Sequence, residues 1–159
     1  MLQRKQSIFI LLAIITGVIM LFSPLYFYSA GGLGYTFKCF EISQLGVLNK
    51  PVDVNILPLG IVAFFAVLQS ILALFSFKKL KLQKNILQFN MLTWITILVI
   101  IIYYSNNIET FLVNFQIGAV VSKPDIGTFL PIIAYVFLFI ANRGVKKDEE
   151  LLKSADRIR

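Results

Sequence analysis

Four long apolar segments divide the chain, and none of them contains Asp, Glu, Lys or Arg. Each is close to the ~20 residues that a helix needs to cross the ~30 Å hydrocarbon core of a bilayer. Within lipid such segments must be helical, because every backbone N–H and C=O needs a partner inside its own segment. The pattern therefore predicts four transmembrane helices, over approximately residues 7–28, 56–77, 86–104 and 126–142.

The composition agrees with a chain whose solvent is partly lipid. Hydrophobic residues make up 58% of the sequence and charged residues 14%, and the mean hydropathy is +0.82. Soluble domains have roughly 45–50% apolar and about 25% charged residues. The chain has too little polar surface to cover its apolar mass as a water-soluble globule.

The first apolar segment has one alternative interpretation, a secretory signal that is removed. Arg4 and Lys5 supply the basic start that such a signal has. The apolar segment is longer than the core of a typical signal, and no clear Ala-x-Ala cleavage site follows it. We interpret it as a retained helix.

The basic residues are unevenly distributed among the connections. All 15 except Lys38, Lys50 and Lys123 lie before the first helix, between helices two and three, or after helix four. The positive-inside rule then places both termini and the short lysine loop in the cytoplasm. This distribution explains the pI of about 9.6, and we expect no nucleic-acid partner.

The two outer connections, residues 29–55 and 105–125, are longer than a simple helix hairpin needs. Their segments "YTFKCFEI" and "TFLVNFQIGAVV" are rich in β-branched and aromatic residues, as strands are. They could pair in a small outer-face sheet, or lie as extended loops on the lipid headgroups. We expect the tyrosines near the outer helix ends to anchor the interface: Tyr26, Tyr28, Tyr35, Tyr103 and Tyr104.

The ionisable residues assemble no catalytic site. The chain has no histidine and a single cysteine, Cys39, so the commonest general base and the usual zinc, haem and iron–sulfur patterns are missing. The outer acids Glu41, Asp53, Glu109 and Asp125 are not paired by spacing. We therefore expect no enzyme, no cofactor and no metal site.

Polar side chains inside the helices are few. Gln69 and Ser70 lie midway along helix two, and Thr93 and Thr96 lie three residues apart on helix three. Such groups commonly form hydrogen bonds between transmembrane helices. The alternative is that they are the polar contacts of a protein that binds or transports a lipid or another apolar small molecule.

Residues 143–159 form a charged tail with helical order. Leu151, Ala155 and Ile158 recur at i, i+4 and i+7, and Leu152 widens this apolar stripe. The pattern predicts a cytoplasmic amphipathic helix that continues helix four after a break at Gly144. The stripe must rest on headgroups, on the lysine loop of its own chain, or on a partner.

Two segments carry a resemblance to a known family. "RKQSIFILLAIITGVIMLF" at the start and "PIIAYVFLFIANRGVKKDEELLKSADRIR" at the end resemble the opening and closing motifs of a bacterial family of small integral membrane proteins, domain of unknown function 4293. The matching positions are Arg4, Gln6, Ser7, Arg143, Lys147, Asp148, Glu149, Leu151, Ser154, Asp156, Arg157 and Arg159. The resemblance implies four transmembrane helices and no activity.

We thus predict an all-α membrane fold of four transmembrane helices in the bacterial inner membrane, with a cytoplasmic amphipathic C-terminal helix. The leading functional hypothesis is a non-enzymatic accessory protein whose tail docks on a protein partner, the lipid bilayer being its other contact. The predicted docking residues are Lys147, Asp148, Leu151, Leu152, Ala155, Asp156, Arg157, Ile158 and Arg159. The sequence indicates no oligomeric state.

Overall fold

A computed structural model describes residues 3–30, 32–45, 54–114 and 120–157. Helix α1 spans Gln3–Phe22, α2 Leu57–Phe75, α3 Leu80–Asn114 and α4 Ile126–Arg157. Four short strands, β1 (Tyr26–Ala30), β2 (Leu33–Phe37), β3 (Ile42–Leu45) and β4 (Val120–Pro124), form one sheet. A single 3-10 turn, Ser76–Lys78, links α2 to α3.

The four helices pack side by side in the order α1, α2, α3, α4, and α4 closes against α1. Trp94 of α3 is fully buried among them. It fits because Gly17 of α1 has no side chain: a Cβ there would lie 2.8 Å from Val67 Cγ2 and 3.1 Å from the Trp94 ring. Small residues at helix contacts let backbones approach in this way.

Three of the helices are long and apolar enough to cross a membrane: Leu57–Phe75, Leu80–Asn114 and Ile126–Leu152. The apolar part of α1, Gln6–Phe22, is shorter. Large apolar side chains such as Phe22, Phe75 and Phe89 are 76%, 73% and 68% exposed. An outer surface this apolar is typical of a membrane protein.

Helices α3 and α4 are longer than their apolar segments. They contain 35 and 32 residues, which at 1.5 Å per residue is about 52 and 48 Å, well above the ~30 Å hydrocarbon core. Both helices therefore continue past the predicted membrane segments, which end at 104 and 142; for α4 this agrees with the predicted helical tail. The helices continue because their polar extensions still bury side chains, Ile108 and Leu112 on α3 and Val145 on α4.

The extensions define two ends of the molecule. We call the end formed by the start of α1, the start of α3 and the last turns of α4 the basic end, because it carries the lysine loop and the charged tail. The opposite end carries the sheet, and we call it the sheet end. Helix α4 runs through Gly144 without interruption, so the predicted break at that residue is wrong.

The sheet is antiparallel, with strand order β3-β2-β1-β4. Of the two alternatives, the small sheet is confirmed, but its strands coincide with the predicted segments only in part: residues 35–37 lie in β2, Ile42 in β3, and Val120 and Val121 in β4. Residues 110–114 belong to α3, and "YTFKCFEI" holds the end of β2, a turn and the start of β3. Helix one was predicted to reach residue 28, yet α1 ends at Phe22, before Pro24, and Tyr26–Ala30 is β1, one of the two inner strands of the sheet.

Two of the predicted interface tyrosines are instead interior residues. Tyr28 is 0% and Tyr35 1% exposed, so the expectation that they anchor the interface is wrong. The Tyr28 hydroxyl donates to Ser105 Oγ, 2.9 Å away, which joins the sheet to α3. Burial raises the pKa of this phenol to about 12, so it stays a neutral donor. Tyr103, by contrast, is 63% exposed.

Candidate functional site

The last turns of α4 are held against the first turns of α1. Asp148 is 9% exposed, and its Oδ2 accepts a hydrogen bond of 2.5 Å from Gln6 Nε2. The approach needs Gly144, because a Cβ there would lie 2.7 Å from Gln6 Cγ. The tail therefore begins as part of the helical core, one side of it buried on its own chain.

An ion pair joins the same part of α4 to the lysine loop. Lys84 Nζ on α3 lies 3.0 Å from Glu149 Oε2, and both side chains are partly buried, at 28% and 16% exposed. Because α3 and α4 are antiparallel neighbours, this contact also fixes which of their turns face each other. Of the three supports that the sequence left open for the tail, the chain's own lysine loop supplies at least one contact.

The predicted docking residues fall into three groups in the structure. Lys147, Leu151 and Leu152 are exposed, the two leucines at 49% and 58%. Asp148 faces inward on Gln6, so the structure does not place it among the surface groups. Ala155, Asp156 and Arg157 lie on α4, whose backbone alone is described there; Ile158 and Arg159 lie outside the described residues.

The polar side chains between α2 and α3 bond mostly to each other. Thr93 Oγ1 lies 3.0 Å from Gln69 Oε1. Ser70 Oγ accepts from Asn90 Nδ2 at 2.5 Å and donates to a carbonyl of its own helix. Thr96 is different, because it is exposed and donates to Leu92 O of its own helix. The contacts of Thr93 with Gln69 and of Asn90 with Ser70 hold α2 and α3 together. They leave the donor groups little capacity to bind a ligand.

One interhelical polar contact was missed by reasoning from the sequence. Gln83 is 2% exposed, and its Nε2 donates to Ala73 O, 3.1 Å away, where α2 ends. The residue lies in the lysine-rich "KKLKLQKN", which hydropathy marks as a solvated loop. The helical spacing of Gln83, Leu87 and Asn90, all buried, is the signal that could have identified it.

Three buried polar atoms have no hydrogen-bond partner among the described residues: Asn90 Oδ1, Trp94 Nε1 and Asn142 Oδ1. Asn90 and Trp94 lie one turn apart on α3. In the described part of the chain no three His, Cys, Asp or Glu side chains group as metal ligands do.

Cys39 is a buried residue near the sheet end. It is 0% exposed, and its Sγ donates to Met20 O at 3.5 Å. Burial raises the pKa of the thiol to about 12, so the reactive thiolate is scarce at neutral pH. This environment is that of a small apolar core residue.

Comparison with known families decides where the chain belongs. The model of the family described as Domain of unknown function (DUF4293) matches residues 2–158. The chain belongs to this family. The match covers both terminal motifs, so the resemblance drawn from them is confirmed, and it assigns no activity to DUF4293. No curated protein matches the chain.

Proposed function

We propose that this DUF4293 protein is an integral protein of the bacterial cytoplasmic membrane that crosses the bilayer four times, with both termini in the cytoplasm. In this proposal it acts as a non-enzymatic accessory protein. The end of α4 docks on a protein partner through Leu151 and Leu152, next to the exposed Lys147.

The contacts of α1 with α4 support the fourth crossing. Gln6 of α1 bonds to Asp148 near one end of α4, and the backbone N–H of Gly127 at the other end donates to Pro24 O at 3.0 Å. From 127 to 148 is about 32 Å of helix at 1.5 Å per residue. The chain from Gln6 to Pro24 thus runs beside the whole apolar length of α4, and any bilayer that α4 crosses is crossed by α1 too.

The exposure of two adjacent leucines beyond the helical core carries the docking proposal. Leu151 and Leu152 follow Glu149, the last α4 residue that bonds to another helix among those whose side chains the structure describes. The helix continues to Arg157, about 12 Å past that ion pair at 1.5 Å per residue. These apolar side chains are held by a helix at the solvent-exposed end of a membrane protein. Such a surface is typical of a site that a partner protein covers.

The test is site-specific photocrosslinking from positions 151 and 152 of the full chain in its native membrane. We expect both positions to capture the same protein, since adjacent residues of one docking surface face one partner. The same capture should fail when the neighbouring leucine is changed to glutamate, because a charge placed in an apolar contact must be desolvated. Only lipid adducts, or different proteins from 151 and 152, would contradict docking.

A matched control separates docking from folding. Glu150→Gln changes an exposed residue on the same turn, and we expect it to leave the crosslink intact. Removing residues 145–159 is less informative, because it would also delete the buried Val145 and the bonds of Asp148 and Glu149. A stop codon in place of Leu151 retains those contacts and removes the proposed surface.

A further inference from the structure

A groove of about 590 Å³ lies on the outer surface between α3 and α4. Such a volume is within the ~300–1,000 Å³ of typical ligand sites. Asn85 and Gln88 line the end nearest the basic end of the molecule, and Leu92 and Ile95 line its length. Tyr135 of α4 lines the other side. The groove is thus polar at one end and apolar along its length.

The α3 wall is one stripe on the helix surface. Lys81, Asn85, Gln88, Leu92 and Ile95 recur at i, i+4, i+7, i+11 and i+14, the spacing of residues that share a helix face. Lys81 is exposed and lies one turn before the polar end of the groove. Along the stripe a charged residue is followed by two amides and then by two apolar residues. A lipid bilayer changes from polar surface to apolar interior in the same order.

Positively charged residues of α4 lie beside the polar end of the groove, although Tyr135 is the α4 residue that lines it. The ion pair between Lys84 and Glu149 shows that these two residues lie at the same height along the helices. One turn further into the molecule from this pair, Gln88 on α3 and Lys146 on α4 therefore also lie at nearly the same height. Lys146 is exposed and three residues from Glu149, on the side of α4 that faces α3. Arg143 lies one turn deeper, with its guanidinium 5.7 Å from the centre of the Phe139 ring.

We propose that this groove binds an anionic phospholipid from the cytoplasmic leaflet. The phosphate lies between Lys81 and Lys146 and accepts hydrogen bonds from Asn85 and Gln88. An acyl chain follows Leu92 and Ile95 towards Tyr135. The inference depends on the membrane orientation proposed above, and it is independent of the docking partner.

The charge pattern favours an anionic lipid over a zwitterionic one. Residues 78–84 contain four lysines and no acid; of the acids at the end of α4, Glu149 is engaged by Lys84, while Glu150 is exposed one turn from Lys146. A lysine close to the headgroup attracts anionic lipid by an amount that corresponds to roughly fivefold in affinity. Gln69, Ser70, Thr93 and Thr96 do not line this groove, so it is distinct from the interior lipid site that the sequence suggested.

The test is native mass spectrometry of the purified full chain, with phosphatidylglycerol and phosphatidylcholine added at equal concentration. We expect phosphatidylglycerol to be retained in preference. Lys81→Gln and Lys146→Gln should each reduce that preference by about fivefold. Lys147→Gln is the matched control: it removes the same charge from the adjacent residue, about 100° around α4 and away from the groove, and should change the preference less than twofold.

A second variant tests the apolar part of the site. Leu92→Trp fills the groove at an exposed position, so we expect bound phosphatidylglycerol to be lost while the unfolding temperature of the protein is unchanged. Equal retention of both lipids, or an equal effect of Lys146→Gln and Lys147→Gln, would overturn the proposal. Displacement of the lipid by millimolar glycerol 3-phosphate would also overturn it, because the site would then recognise the phosphate alone.

Discussion

Asp148 is a carboxylate held away from water at the basic end of the molecule, where its Oδ2 lies 2.5 Å from Gln6 Nε2. The sequence predicts it as a charged surface residue, since it lies in the run "KKDEE". Hydropathy could not predict its burial, because the burial depends on Gly144 letting α1 approach that particular side of α4. The neighbouring Lys147, Leu151 and Leu152 are exposed as their positions in the tail suggest.

Asp148→Ala should destabilise the protein, because the Gln6 amide loses its acceptor in a contact that water does not reach. A buried donor left unpaired costs about 1–3 kcal/mol in the free energy of unfolding. The measurement is an SDS titration of the purified protein in mixed micelles. The control Glu150→Ala, at an exposed position of the same helix, should stay within about 0.5 kcal/mol. Equal effects of the two would show that the hydrogen bond contributes nothing.

At the scale of elements, the apolar segments located all four helices, with the bounds of α2 within two residues, but they did not give the end of α1 or the extent of α3. Hydropathy indicates which segment can be exposed to lipid. It does not give the helix boundary, because a helix can continue beyond its last apolar residue. Helix α3 continues to Asn114 because Ile108 and Leu112 remain buried. Helix α1 stops early because Pro24 interrupts it, and the apolar Tyr26–Ala30 then pairs with both β2 and β4.

The contact between α1, α2 and α3 at Gly17 gives a prediction about helix packing. Gly17→Ala should cost about 1–3 kcal/mol in the free energy of unfolding, because the new methyl group overfills a closed site. Val67→Ala removes the Cγ2 atom that lies 2.8 Å from the position of that methyl. The double variant should therefore be less destabilised than the sum of the single variants.

The control for this cycle is Val99→Ala, which removes the same atoms from an exposed position of α3. Combined with Gly17→Ala it should give additive effects, because the two sites share no neighbour in the core. Additivity in the Val67 pair as well would contradict the close contact. Both cycles use the same SDS titration.

At the scale of the whole molecule, helices α3 and α4 extend past their apolar segments at opposite ends. The α3 extension supports the sheet through the bond between Tyr28 and Ser105 and through Glu109, whose Oε2 accepts from Ser122 Oγ at 3.1 Å. The α4 extension forms the basic end. The unequal distribution of lysines predicted that the two ends of the molecule differ. The strand order of the sheet could not be predicted, because most of β1 lies in an apolar segment whose pattern predicts a helix.

The account depends above all on which side of the membrane each end occupies. Cys39 is fully buried, and the raised pKa of its thiol, about 12, leaves it unreactive at neutral pH. A Cys39→Ala background then allows single reporter cysteines at exposed positions: Lys79 and Ser154 at the basic end, and Lys123 at the sheet end.

The most direct measurement is the labelling of these three cysteines in intact cells by a maleimide that does not cross membranes. We predict that the cysteine at 123 reacts, and that those at 79 and 154 react only after the membrane is permeabilised. That result places the lysine loop and the docking leucines in the cytoplasm. Labelling at 79 or 154 in intact cells, or no difference in labelling between 123 and the other two, would contradict the proposed topology.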